Sequence, residues 1–234
     1  ERLTWDAIKA PMFYISAFHA RSSRNHLFKS TYLERGPNVM NPAVAALPGD
    51  EIFDNVTLGA DDELNWHAIR SDKMIDTTGT SNGEWVVSIG DTIPLLVRFA
   101  PDVPFYEGGP DSAVAERVFW GFGMEAYEPY SVKATHFPLT REAQQVYLGE
   151  ICRIVGIPQM VAVYDKPWNY DVILLSDDEN DDANLEFLQR QEFRTVKFWG
   201  GKNINLWGQD SIDMLNDADL VIIGRSIGSS NFED

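Results

Sequence analysis

The sequence predicts an α/β chain of two Rossmann-like halves: an irregular N-terminal half over 1–138 carrying β insertions, and a regular parallel α/β half over 139–234. Two observations lead there. In the second half, short apolar runs at Met160 to Tyr164, Asp171 to Leu175 and Asp219 to Gly224 alternate with helical patterns, and such runs suit strands buried on both faces of a parallel sheet. In the first half, Gly-Pro, Asn-Pro and Pro-Gly-Asp steps between Gly36 and Gly90 keep any one element short. With 234 residues, 44% of them hydrophobic, the chain can bury one large core or two small ones.

Taken in order, Met12 to Phe18 reads as a strand, His19 to His26 as a loop, and Leu27-Phe28 as the start of a helix. Glu51 to Leu58, Glu84 to Ile89 and Ile93 to Phe99 are further strand candidates. The Pro- and Gly-containing stretch Ala100 to Asp111 stops any helix. Ser112 to Met124 reads as a helix capped by Ser112, with Val114, Val118 and Phe119 on one face. Thr140 caps a second helix whose Val146, Ile151, Ile154 and Val155 form a buried stripe before Gly156 ends it. Ser176 to Asp182 is an acidic loop, and Asp182 to Arg190 a helix with Leu185 and Leu188 inward. Thr195 to Trp199 then reads as a strand, Ser211 to Asn216 as a short helix, and Asp219 to Gly224 as the last buried strand. Ligands of such sheets bind at the carboxyl ends of strands, which directs attention to Ser176-Asp177-Asp178, Gly200-Gly201 and Arg225-Ser226.

Charge narrows the function classes. A net charge of -17 repels a phosphate backbone over most of the surface, so sequence-wide nucleic-acid binding is not expected. One or two Arg at a loop or helix N-terminus would still serve a small phosphorylated ligand. A single cysteine, Cys152, excludes an intrachain disulfide and a cysteine-based zinc site, and reads as a small buried apolar residue. His19, His26, His67 and His136 are dispersed with no helical i, i+4 pair, so zinc ligation is not expected either. The run Asp177, Asp178, Glu179, Asp181 and Asp182 has carboxylates for a divalent cation, but a solvated loop leading into a helix N-terminus explains it as well. The longest apolar run, Ile93 to Ala100, is interrupted by Pro94 and Arg98 and is far short of the ~18 to 20 residues of a membrane span. The chain begins at Glu1 rather than Met, as expected of a processed product or a segment of a longer one.

Arg98 closes an apolar strand, where a guanidinium serves either a phosphate or a nearby carboxylate such as Asp102. Trp199-Gly200-Gly201 and Trp207-Gly208 supply aromatic surface for stacking a base or sugar, or for core and interface packing. Ser226, Ser229 and Ser230 form no nucleophile elbow and read as turn residues.

Four segments in order resemble one family. Arg21-Ser22-Ser23-Arg24-Asn25-His26-Leu27-Phe28 is similar to the Gly-x-Gly-x-Asn-Gln-Leu-Phe loop after the first strand of fucosyltransferase-like glycosyltransferases of the GT-B fold. Leu95 to Asp102 stands in the place of their His-x-Arg-Arg-x-Asp strand end, and Val172 to Asp178 resembles the strand before their acidic donor-side loop. Ser211 to Leu215 with Ile223 to Ser229 resembles their closing pattern of an Asp before a helix, a buried strand and a Ser-rich turn. The resemblance implies sugar transfer from a nucleotide donor, with no cofactor beyond that donor and no metal. Arg98 would neutralise the diphosphate leaving group, Asn25 and His26 would lie near the interlobe cleft, and Asp178, Asp213 and Ser226 on the donor side. The chain departs from the pattern at Ser22 and Arg24, where the family has glycines, at Leu96 in place of its His, and at Phe99 in place of its second Arg. The alternative is therefore a structural or assembly protein, for example a viral capsid component, that keeps an α/β fold without a reaction and works through protein partners or self-association.

Overall fold

Apolar, β-branched and aromatic runs along this chain build strands that are buried on both faces, and the helices between them cover both sides of the resulting sheet. The computed structural model describes residues 7–15, 43–64, 81–90, 93–120, 141–157, 168–175, 182–191, 193–199 and 208–224. The strands are β1 (Met12–Ile15), β2 (Val44–Ala45), β3 (Glu84–Ile89), β4 (Ile93–Phe99), β5 (Arg117–Trp120), β6 (Trp168–Leu175), β7 (Phe193–Trp199) and β8 (Leu220–Ile223). The helices are α1 (Arg141–Val155), α2 (Asp182–Arg190) and α3 (Gln209–Asn216).

All eight strands join one sheet in the order β2-β3-β4-β5-β1-β8-β6-β7. The block β5-β1-β8-β6-β7 is parallel throughout, and β4, β3 and β2 extend it antiparallel from the β5 side. The expected α/β class is what the chain adopts, on a mixed sheet. The two halves share that sheet. Strands from before residue 138 occupy one side of it and strands from after 139 the other, and they meet where β1 pairs with β8.

The crossovers follow one hand. From β6 the chain steps outward to β7 through α2, whose Phe187 and Leu188 pack in the same core layer as α1. From β7 it returns across β6 to β8 through α3, whose Leu215 packs in the opposite layer. Reversing both the direction of travel and the face keeps the handedness unchanged, as twisted parallel strands require.

In the first layer, Phe13, Trp120, Val172, Leu174, Leu220 and Ile222 of the sheet meet Ala143, Val146, Tyr147 and Ile151 of α1. Phe13 stacks on Tyr147 at 5.2 Å between ring centres, and Trp120 lies 5.5 Å from the same ring. In the second layer, Met12, Tyr14, Phe119, Ile173, Val221 and Ile223 meet Leu215 and the loop residues Phe105 and Ala113. Cys152 is fully buried in the first layer, in keeping with its reading as a small apolar residue.

Helix α1 ends as expected at Gly156, whose φ of +75° a side chain would strain. Gly156 N–H donates to Arg153 O and Ile157 N–H donates to Cys152 O, which is the Schellman pattern.

Four expectations need correction or extension. Ser112 to Met124 is not a helix: Arg117–Trp120 inside it is β5, with all four residues buried, and Val114, assigned to the buried face, is 50% exposed. The run Arg-Val-Phe-Trp forms a strand because it fills the slot between β4 and β1, where both faces are covered. Glu51 to Leu58 is not a strand either. Asp50 caps a 3₁₀ turn at Glu51–Phe53 by accepting a hydrogen bond from Ile52 N–H at 3.1 Å. Strand β7 begins at Phe193 rather than Thr195, and α3 begins at Gln209 rather than Ser211. The strand expected at Met160 to Tyr164 lies outside the described residues.

Candidate functional site

In an open parallel sheet the ligand crevice lies beyond the carboxyl ends of the central strands. Here those strands are β1, β8 and β6, adjacent and parallel, ending at Ile15, Ile223 and Leu175. Of the residues expected at a donor site, Asn25 and His26 follow β1, Asp178 follows β6 and Ser226 follows β8. All four lie outside the described residues, as do Gly200-Gly201 and residues 176–181 of the acidic run after β6.

Arg98 and Asp213 are described, and neither stands at that edge. β4 runs antiparallel to β5, with Leu96 opposite Trp120 and Arg98 opposite Val118, so Arg98 is displaced from the carboxyl end of β5 toward its amino end. Its side chain turns toward α1 and is buried. Arg98 Nε donates to Glu150 at 3.1 and 3.2 Å, and its Nη2 donates to Glu150 Oε2 at 2.6 Å. Asp50, the cap of the 3₁₀ turn, accepts from Nη1 at 2.5 Å and from Nη2 at 3.1 Å. Glu84 of β3, paired across from Arg98, approaches Nη1 at 3.7 Å from the surface.

Glu150 itself is fully buried and takes a second guanidinium. Arg153, one helical turn on, donates from Nη2 to Glu150 Oε1 at 2.8 Å and to Glu116 Oε1 at 2.5 Å. The chain Asp50–Arg98–Glu150–Arg153–Glu116 thus ties the 3₁₀ turn, β4, α1 and the residue before β5 into one ionic network. Of the two alternatives the sequence left for Arg98, the carboxylate partner is the one observed, with Glu150 and Asp50 in place of Asp102. Asp102 belongs instead to the loop after β4, where its backbone N–H donates to Ala113 O.

The electrostatics follow from this packing. Burial pushes the Asp50 carboxyl up, but hydrogen bonds from Arg98 and the Ile52 amide, with the charges of Arg98 and Arg153, outweigh it and hold the carboxyl below its ordinary value. Burial likewise works against the charge on Arg98, and the carboxylates of Asp50 and Glu150 more than offset it, so its pKa is raised. Arg153 is raised in the same way by Glu150, with Glu116 adding to the effect. A guanidinium whose donors already face two carboxylates is poorly placed to receive a diphosphate.

Asp213 lies inside α3 rather than before a helix. It is exposed, and its carboxylate accepts from Gln209 Nε2 at 2.7 Å. It borders an open cavity of about 470 Å³ at the amino ends of β6 and β8, lined also by Asp171, Asp210, Asp217, Ile173, Met214 and Ala218. Four carboxylates there repel an anionic donor. Among the described residues no group of three or more His, Cys, Asp or Glu is arranged to hold a metal ion, and no helix is long and apolar enough to cross a membrane.

No family model, curated protein or solved structure matches the chain.

The network residues Asp50, Glu116, Glu150 and Arg153 were not singled out from the sequence. One signal was present: Glu150 falls four residues after Val146 and four before Ile154, so it sits within the apolar stripe of α1, with Arg153 a turn away. A carboxylate in a buried stripe requires a cation, and Arg98 is the buried cation facing it.

Proposed function

We propose that the chain is a glycosyltransferase-like domain that binds a nucleotide sugar, with two Rossmann-like halves sharing one sheet and the donor seated beyond the carboxyl ends of β1, β8 and β6. The observation that supports this reading is the adjacency of those three parallel strands. Each one leads into a segment containing residues of the resembled motifs: Asn25 and His26 after β1, Asp178 three residues after β6, and Ser226 three residues after β8. In this reading Arg98 and Asp213 are not donor ligands. Arg98 holds α1 to the sheet, and the diphosphate is met by groups on the segments that follow the strands. With Arg98 engaged by Glu150 and Asp50 rather than turned to a leaving group, the domain binds its donor and is degenerate in transfer.

Thermal unfolding in the presence of GDP, UDP and their sugars tests the proposal. A ligand held at about 100 times its dissociation constant adds about 2.7 kcal/mol and raises the midpoint by several degrees. The shift is expected to survive removal of divalent cations by EDTA. No shift with any nucleotide, together with self-association in a sizing experiment, overturns the proposal in favour of an assembly protein.

A further inference from the structure

The backbone leading into β3 contains Asn82-Gly83, the chain's one Asn-Gly step. This dipeptide is chemically labile, because the glycine N–H is unhindered by a side chain and can attack the neighbouring amide carbon. Exchange of the glycine would overpack the fold. A Cβ at Gly83 would lie 2.3 Å from Val97 Cγ1 and 2.9 Å from Phe99 Cζ, so β4 packs directly on the bare backbone. Packing thus imposes the reactive step on this position.

The same surroundings restrain the reaction. Asn82 is exposed, yet its Nδ2 donates to Pro104 O at 2.9 Å and its backbone N–H donates to Phe105 O at 3.0 Å. Gly83 N–H, the attacking group, donates to Ser81 Oγ at 3.2 Å, and Ser81 bridges to Tyr106. The loop carrying these acceptors is anchored by Phe105, which is 2% exposed and sits edge-on to Phe99 at 5.2 Å.

We infer that Asn82-Gly83 is a deamidation site that the native clamp on residues 104–106 keeps latent and that loosening of this loop exposes. In the reaction Gly83 N loses its proton to base and bonds to Asn82 Cγ, and Nδ2 departs as ammonia, leaving a succinimide ring. Water then opens the ring at either carbonyl to give an aspartate or an isoaspartate. Neither product can donate to Pro104 O as the amide does. The clamp therefore does not re-form in its original shape, and the change records that the loop has opened.

The test incubates the full-length protein at mildly alkaline pH, in buffer and in a denaturing concentration of urea, and follows the peptide containing residue 82 by mass and by isoaspartate detection. Conversion in buffer is expected to be at least tenfold slower than in urea, which corresponds to about 1.4 kcal/mol of local opening. Phe105→Ala, which loosens the anchor, is expected to raise the rate in buffer toward the unfolded value. Equal rates for the wild-type chain in buffer and urea would overturn the protection. Absence of conversion in urea would overturn the site itself.

Discussion

A carboxylate with no exposed surface needs fixed donors, and Glu150 receives them from two guanidiniums that each reach a further carboxylate. Removing Arg98 leaves that charge with only Arg153, so Arg98→Ala is expected to lower stability by about 3–5 kcal/mol, read as a drop in the urea midpoint at unchanged slope. Replacing Arg98 and Glu150 together with Met and Leu is expected to cost less than Arg98→Ala, since no fully buried charge then remains, only the partly exposed Asp50 and Arg153. Asp50 gives the network a pH signature. Its folded pKa lies below the ordinary value of 3.8, so its contribution is complete above that value and is lost as pH falls through the lower, folded one. Urea midpoints measured from neutral pH downward should therefore fall in the acid range, and Asp50→Asn should make that fall shallower. The sequence exposed half of this site. Arg98 was legible as a cation at the end of an apolar strand, whereas its partners come from segments far apart in the chain, and only the α1 register of Glu150 hinted at one of them.

At the scale of elements, α1 and β5 mark where local pattern was sufficient and where it was not. The 3.6-residue stripe and the terminal glycine define α1 without reference to the rest of the chain. Gly156→Ala is expected to cost about 1–2 kcal/mol, because the new side chain must adopt the left-handed conformation that closes the helix. A chemical-denaturation curve would check it. Gly83→Ala should cost about 1–3 kcal/mol for a different reason, the overpacking of Val97 and Phe99. β5 escaped the sequence reading because a four-residue run buried on both faces has no alternation, and Val114, Val118 and Phe119 happen to match a helical spacing. What fixes it as a strand is pairing with β4 and β1, which is information from elsewhere in the chain.

For the whole molecule, the decisive fact is that the N-terminal and C-terminal stretches contribute to a single sheet, with β1 pairing to β5 on one side and β8 on the other. Calorimetry should accordingly show one transition whose van't Hoff and calorimetric enthalpies agree. Fragments cut between residues 138 and 139 should each fail to unfold cooperatively, because the cut separates α1 and β8 from the strand they cover or pair. The α/β class was readable because the alternation of apolar runs and helices is local, but the shared sheet was not, because parallel neighbours are set by crossovers. The position of β1 also bears on how the molecule comes into being. One edge of β1 can pair once β5 is made, but the other must wait for β8, where Phe13 meets Ile222, so the nascent chain carries a central strand with an open edge until the other described strands have been synthesised. Such long-range closure makes for slow maturation, with an exposed strand edge inviting association in the interval, and points to the moments after synthesis as the period when this protein most needs chaperone protection.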